Sequence, residues 1–103
     1  MLEMLSRDRC EAAEAFVRDH GRPLEVALLG QGLGEAPAEP ALVALSEFQN
    51  PDGGFGHGLE SDMQGPASTA IATSVALRLL RRLGATARQP MVVGALDWLG
   101  ETL

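Results

Sequence analysis

The sequence of 103 residues contains no lysine and no tyrosine, and it has a single cysteine, Cys10. A lone thiol excludes an intrachain disulfide and is typical of the reducing cytoplasm. All eight basic residues are arginines against fourteen acids, and the formal net charge of -6 argues against a nucleic-acid or anionic-membrane partner. No apolar run approaches the ~18 residues of a membrane span, and no export signal is evident. We therefore expect a cytoplasmic protein without a membrane span.

The sequence also lacks the sustained alternation of β-branched residues that predicts strands. Apolar residues instead recur at three- and four-residue spacing in segments that proline or glycine separates. This pattern predicts one all-α domain over residues 1–103, with five helices and no sheet. The predicted helices cover residues 2–20 (beginning at Leu2 or just after Ser6), 23–30, 40–49, 66–83 and 90–103.

The fourth predicted helix has the widest apolar surface. Its many small residues permit close approach by neighbouring helices, so we expect residues 70–83 to form the most buried helix. Three arginines, Arg78, Arg81 and Arg82, lie near its end. We interpret them as cations that offset the helix macrodipole, with an anion site as the alternative.

The connection over residues 48–66 is unusually long and contains five glycines and two prolines. Connections beyond ~12–15 residues are usually functional or disordered. Its first part predicts a type I turn, with Asn50 in the first position, Pro51 fixing φ in the second and Gly53 closing it.

The stretch "LSEFQNPDGGFG", residues 45–56, resembles the repeat of the terpenoid-cyclase and protein-prenyltransferase α/α-toroid superfamily. That repeat places a Gln, a short gap, Asp-Gly-Gly and an aromatic residue after a helix end. The matching positions here are Gln49, Asp52, Gly53, Gly54 and Phe55, and Phe55 stands where squalene-cyclase-type repeats carry Trp. The resemblance covers about residues 9 to 103. It implies antiparallel helical hairpins around an axis, with the Gln amide and the aromatic ring tying neighbouring helix ends together.

The stretch "ALDWLGETL", residues 95–103, resembles the start of a second repeat, whose Gln would be expected at Leu103. About two hairpins are too few to close a ring around a substrate cavity. The Asp-rich acid motif of the squalene-type cyclases is absent. The Asp, Cys and His zinc ligands of the prenyltransferases have no match either, because Cys10 is far in sequence from His57. The resemblance therefore implies the fold without the family's chemistry.

The second half of the long connection carries the candidate catalytic residues His57, Glu60 and Asp62. Two carboxylates held in an apolar cavity can separate their pKa values, which leaves one of them as a general acid. The alternative is that both acids solubilise the loop or offset the dipole of the next helix. We expect no metal and no cofactor, since a calcium loop here fails at Gly54 and Ser61 and a zinc site lacks ligands.

These observations favour a non-catalytic α-helical repeat module that binds an apolar small molecule or another protein chain. The alternative is a part of a terpene cyclase or prenyltransferase-like enzyme acting on an isoprenoid-type substrate. Phe16 and Trp98 lie at core spacing. The last predicted helix has no following repeat to cover its apolar residues, so we expect a homodimer or a partner chain with further repeats, with Trp98 in or beside the interface.

Overall fold

The computed structural model describes residues 2–60 and 65–102, and it confirms the all-α prediction. Within these ranges an isolated bridge between Gln49 and Phe55 is the extent of β pairing, and no helix is long and apolar enough to cross a membrane. The five helices are α1 (Leu2–His20), α2 (Pro23–Gly32), α3 (Glu39–Ser46), α4 (Ala70–Arg82) and α5 (Pro90–Thr102). The chain divides into two compact units, Met1–Ala41 and Leu42–Leu103.

The first unit is built on the contact between α1 and α2. A tight turn joins them at Gly21, whose N–H donates to the Val17 carbonyl at 2.7 Å. A Cβ at Gly21 would lie 2.5 Å from that oxygen, so only glycine fits. The prediction that Phe16 is a core residue is wrong: its side chain is 63% exposed and stacks on His20, with ring centroids 4.6 Å apart.

The α2 helix continues two residues beyond its predicted end, to Gly32. It continues because Leu33 still donates its N–H to Leu29 at 3.0 Å, and the chain reverses only where Gly34 takes a φ of 75°. The N–H groups of Glu35 and Ala36 then both donate to the Gly30 carbonyl. Glycines at positions 30 and 32 therefore lie inside a helix, although both lower its intrinsic stability.

The α3 helix ends at Ser46, three residues before the predicted end. The next N–H groups donate three residues back, Phe48 to Leu45 at 3.0 Å and Gln49 to Ser46 at 3.1 Å. This tighter winding is the usual way in which a helix terminates. Gln49 therefore lies outside the helix, and its side chain bonds to other parts of the chain.

The α4 helix begins at Ala70 and not at Pro66. Thr69 is its N-cap, with extended φ and ψ of -128° and 153°, and its hydroxyl accepts the N–H of Ala72 at 3.0 Å. The N–H of Thr69 donates to the Phe55 carbonyl at 3.0 Å. An extended cap residue that is bonded on both sides stops the helix from growing toward Pro66.

The core of the second unit lies between α4, α5 and the segment that precedes α4. The α4 helix contributes more buried side chains than α2, α3 or α5, and these four are Ala72, Thr73, Ala76 and Leu80. Apolar residues do not surround it, however. Its opposite face is exposed at Ile71, which is 57% accessible, and at its arginines. The connection from α4 to α5 turns at Gly84, which has a φ of 83°.

Candidate functional site

The site is built on residues 49–55, which we call the clasp. Asn50 opens a tight turn that Gly53 closes, since the Gly53 N–H donates to the Asn50 carbonyl at 2.9 Å. Gly53 has a φ of 94°, a conformation that glycine adopts without strain. The Asp52 carboxylate accepts the Gly54 N–H at 2.9 Å. The local sequence thus satisfies its own backbone groups.

The Gln49 side chain connects the clasp to α5. Its Nε2 donates to two carbonyls, Gly53 within the clasp and Met91 in the first turn of α5, each at 3.0 Å. The backbones of Gly53 and Gly94 meet directly, because a Cβ on Gly53 would lie 2.3 Å from the Gly94 oxygen. The amide of Gln49 can reach the helix only because both glycines lack a side chain.

Phe55 connects the clasp to α4. Its side chain is fully buried, and its N–H donates to the Thr73 hydroxyl at 2.9 Å. That hydroxyl donates in turn to the Thr69 carbonyl at 2.7 Å. Thr73 is itself 0% exposed, so this pair of bonds satisfies a buried hydroxyl that would otherwise be costly.

Trp98 packs over the clasp from α5. A Cβ on Gly54 would lie 2.7 Å from the indole ring and 2.6 Å from the Ser68 Cβ. Gly56 is equally close to the segment before α4, since a Cβ there would lie 2.1 Å from the Ala67 oxygen. At each of the glycines 53, 54 and 56, another part of the chain therefore packs where a side chain would lie. The glycines of this sequence thus have a structural role.

A chain of polar side chains lies on the outer surface of the clasp. Asn50 Nδ2 donates to the Ser68 hydroxyl at 2.8 Å and to the Pro66 carbonyl at 3.0 Å. Ser68 donates to Asp52 Oδ1 at 2.7 Å, and His57 Nε2 lies within hydrogen-bonding distance of Asn50 Oδ1. Asn50, Asp52 and Ser68 border a shallow, open depression between the turn and residues 66–68.

This arrangement does not join the Ser68 hydroxyl directly to the His57 imidazole. The Ser68 hydroxyl donates to Asp52, while the Asn50 amide stands between Ser68 and His57. The polar chain fastens residues 66–68 to the turn.

The structure describes two of the three candidate catalytic residues, His57 and Glu60. His57 is exposed and has a φ of 56°, whereas Glu60 is half-buried. Asp62 lies outside the described residues, so its position relative to the other two stays a prediction. Among the described residues, no three His, Cys, Asp or Glu side chains are close enough to hold a metal ion.

Two residues of the site have no counterpart in the sequence-based prediction. Thr73 is one of many small residues in α4, and only its place one helical turn after the cap Thr69 hints at a bond back to the chain. Ser68 precedes that cap, where a hydroxyl is common for many reasons. Neither position carries a motif of its own.

No protein-family model, no curated protein and no solved structure matches this chain.

Proposed function

We propose that this chain is a non-catalytic helical repeat module of the α/α-toroid type, which binds another protein chain through α5. The carrying observation is the exposed apolar surface of α5, where Val93 is 39% and Leu96 is 47% accessible. Val93 and Leu96 lie three residues apart and are neighbours on the helix surface, so one partner surface covers both side chains.

The other two sides of α5 are already occupied. Val92 and Ala95 are buried toward the core, and Ala95 is 0% exposed. Met91, Gly94 and Trp98 face the clasp. One side of the helix is therefore left for a partner, and this is the side on which the next hairpin of a repeat array would lie.

The clasp geometry supports the repeat interpretation. In the proposed module, the Gln49 amide ties the end of α3 to the first turn of α5, and the buried Phe55 ring fixes the turn against α4. The resemblance to the toroid repeat implies such a joint between neighbouring helix ends. The partner in this proposal is a second copy of the chain or a chain with further repeats, and the alternative occupant is an apolar small molecule.

The competing hypothesis, a part of an isoprenoid-converting enzyme, draws less support. The left-handed backbone of His57 is the kind of strain that occurs at active sites. Its imidazole is nevertheless exposed and lies against the Asn50 side chain. A cyclase acid must act where water is excluded.

A photocrosslinking amino acid at Leu96 tests the proposal, with the same amino acid at the exposed Thr86 as the control. We expect Leu96 to form an adduct whose added mass is that of a protein chain, and Thr86 to form none. An adduct with a small apolar molecule would identify the alternative occupant. Equal labelling at both positions, or none at Leu96, would contradict a binding role for α5.

A further inference from the structure

The exposed face of α4 carries apolar and basic side chains but no acidic ones. Because each residue rotates the helix by 100°, Ile71, Val75, Arg78 and Arg82 lie on one stripe of α4. The buried residues of α4, among them Thr73, lie on the opposite side. Arg78 and Arg82 border a shallow groove with Val75 and Leu79. The α4 sequence contains no acid. We call Ile71, Val75, Arg78 and Arg82 the basic face.

The exposed face of α5 carries apolar and acidic side chains but no basic ones. At 100° per residue, Val93, Asp97 and Glu101 lie on one stripe of α5. Leu96 lies between that stripe and the buried Val92, and all four residues are exposed. The α5 sequence contains no basic residue. We call Val93, Leu96, Asp97 and Glu101 the acidic face.

The charges of both faces lack ion-pair partners within the described part of the chain. The salt bridges there join Arg18 with Glu35 and Arg22 with Glu25, all of which precede α3. The arginines of the basic face and the acids of the acidic face are left unpaired, and each set lies beside exposed apolar side chains. A surface that carries both features is suited to a partner of opposite charge.

We infer that these faces are the two sides of one interface between two copies of this chain, in which the basic face of one copy contacts the acidic face of the other. The inference rests on the proposed function and names its partner. Burial of Val75 and Ile71 against Val93 and Leu96 supplies affinity, and the surrounding charges fix which faces meet.

Charge excludes the other pairings of the same two helices. Two acidic faces would bring Asp97 and Glu101 against the same residues of the partner, and two basic faces would oppose arginines. Because the whole chain has a net charge of -6, copies repel each other except where a basic surface meets an acidic one. Two equivalent contacts related by a twofold axis close a dimer, and Trp98, which packs over the clasp, lies on a different side of α5 from the acidic face.

A charge-reversal experiment on the purified full chain tests this pairing. Variant one carries Arg78→Glu and Arg82→Glu, and variant two carries Asp97→Arg and Glu101→Arg. By light scattering we expect about twice the 10.9 kDa chain mass for the wild type. Each variant alone should show a dissociation constant at least about 100-fold higher, because like charges are then opposed. An equimolar mixture of the two variants should recover the dimer.

Matched controls separate this effect from a general change of charge. Arg88→Glu, and Glu11→Arg with Glu47→Arg, alter exposed charges that belong to neither face and should leave the dimer intact. Circular dichroism checks that each variant is helical, and neutral versions with glutamine replace any variant that unfolds. The wild-type dimer should also weaken in 1 M salt, where charges are screened beyond about 3 Å.

A monomeric wild type at about 100 μM, or a mixture that does not recover the dimer, would overturn the inference. If the purified chain is monomeric while Leu96 still crosslinks to a different protein, the partner assignment fails and the proposed function stands. If neither association nor crosslinking occurs, both fail.

Discussion

The bond between Phe55 and Thr73 gives the sharpest test of the clasp as a structural element. Thr73→Val keeps a side chain of similar shape and removes the hydroxyl. The Thr69 carbonyl keeps a donor, because the Thr73 N–H also bonds to it at 3.0 Å. The Phe55 N–H loses its acceptor in a fully buried position. An unpaired buried donor costs about 1–3 kcal/mol of unfolding free energy.

Thr73→Ser is the matched control, because it keeps the hydroxyl and loses one methyl group. Its cost should be about 0.8 kcal/mol, with a small addition for the cavity. Urea titration followed by fluorescence measures both variants. The single tryptophan, Trp98, packs on Gly54 and so reports on the second unit. Amide hydrogen exchange at Phe55 separates the variants further, since the valine variant should lose protection at that amide and the serine variant should keep it.

The reasoning fails if Phe55 stays as protected in Thr73→Val as in the wild type. It also fails if the serine variant loses as much protection as the valine variant. Either result would mean that the hydroxyl is not the acceptor that holds the clasp on α4.

Three further predictions concern single side chains. Phe55→Ala should destabilise the second unit by about 3–5 kcal/mol in the same titration, and an unchanged midpoint would refute the buried anchor. Gly53→Ala should lower the free energy of unfolding by at least about 2 kcal/mol, since it combines a left-handed φ with a clash on Gly94. Its control is Gly65→Ala, whose new Cβ meets no atom within 4 Å and which should be nearly neutral. The hydrogen bond from Arg22 holds the pKa of Glu25 below its ordinary value of 4.5. Glu25 therefore makes its full contribution to stability above that pH, and this contribution declines as acid protonates the carboxylate. Glu25→Gln should remove the decline and lower the free energy of unfolding by about 0.2–1 kcal/mol at neutral pH.

The sequence predicted the helices well because each signal for them is local. Apolar spacing and the prolines at positions 23 and 90 depend on neighbours a few residues away, and α2 and α5 begin at those prolines. The turn at residues 50–53 is equally local, since the Asn50 carbonyl accepts from Gly53.

The sequence predicted less well where distant residues determine the outcome. The start of α4 depends on a bond between Thr69 and Phe55, which helical spacing cannot reveal. Pro66 as the first helical residue and Ser68 or Thr69 as the N-cap are all plausible starts on propensity alone. The same holds for Thr73, whose role depends on a partner 18 residues away. Phe16 fits an apolar stripe and yet is mostly exposed, because spacing identifies a face and not what covers it.

The bond from Gln49 to Met91 has a consequence for the order of folding. It spans 42 residues, whereas residues 83–89 alone connect α4 to α5. Closing a loop six times longer costs about 1.6 kcal/mol more in chain entropy. We therefore expect the α4–α5 hairpin to form in the transition state and the clasp to close afterwards. Weakening the clasp should then leave the folding rate near that of the wild type and accelerate unfolding. The lifetime of the folded second unit, more than the speed at which it forms, is what the Gln49 amide controls.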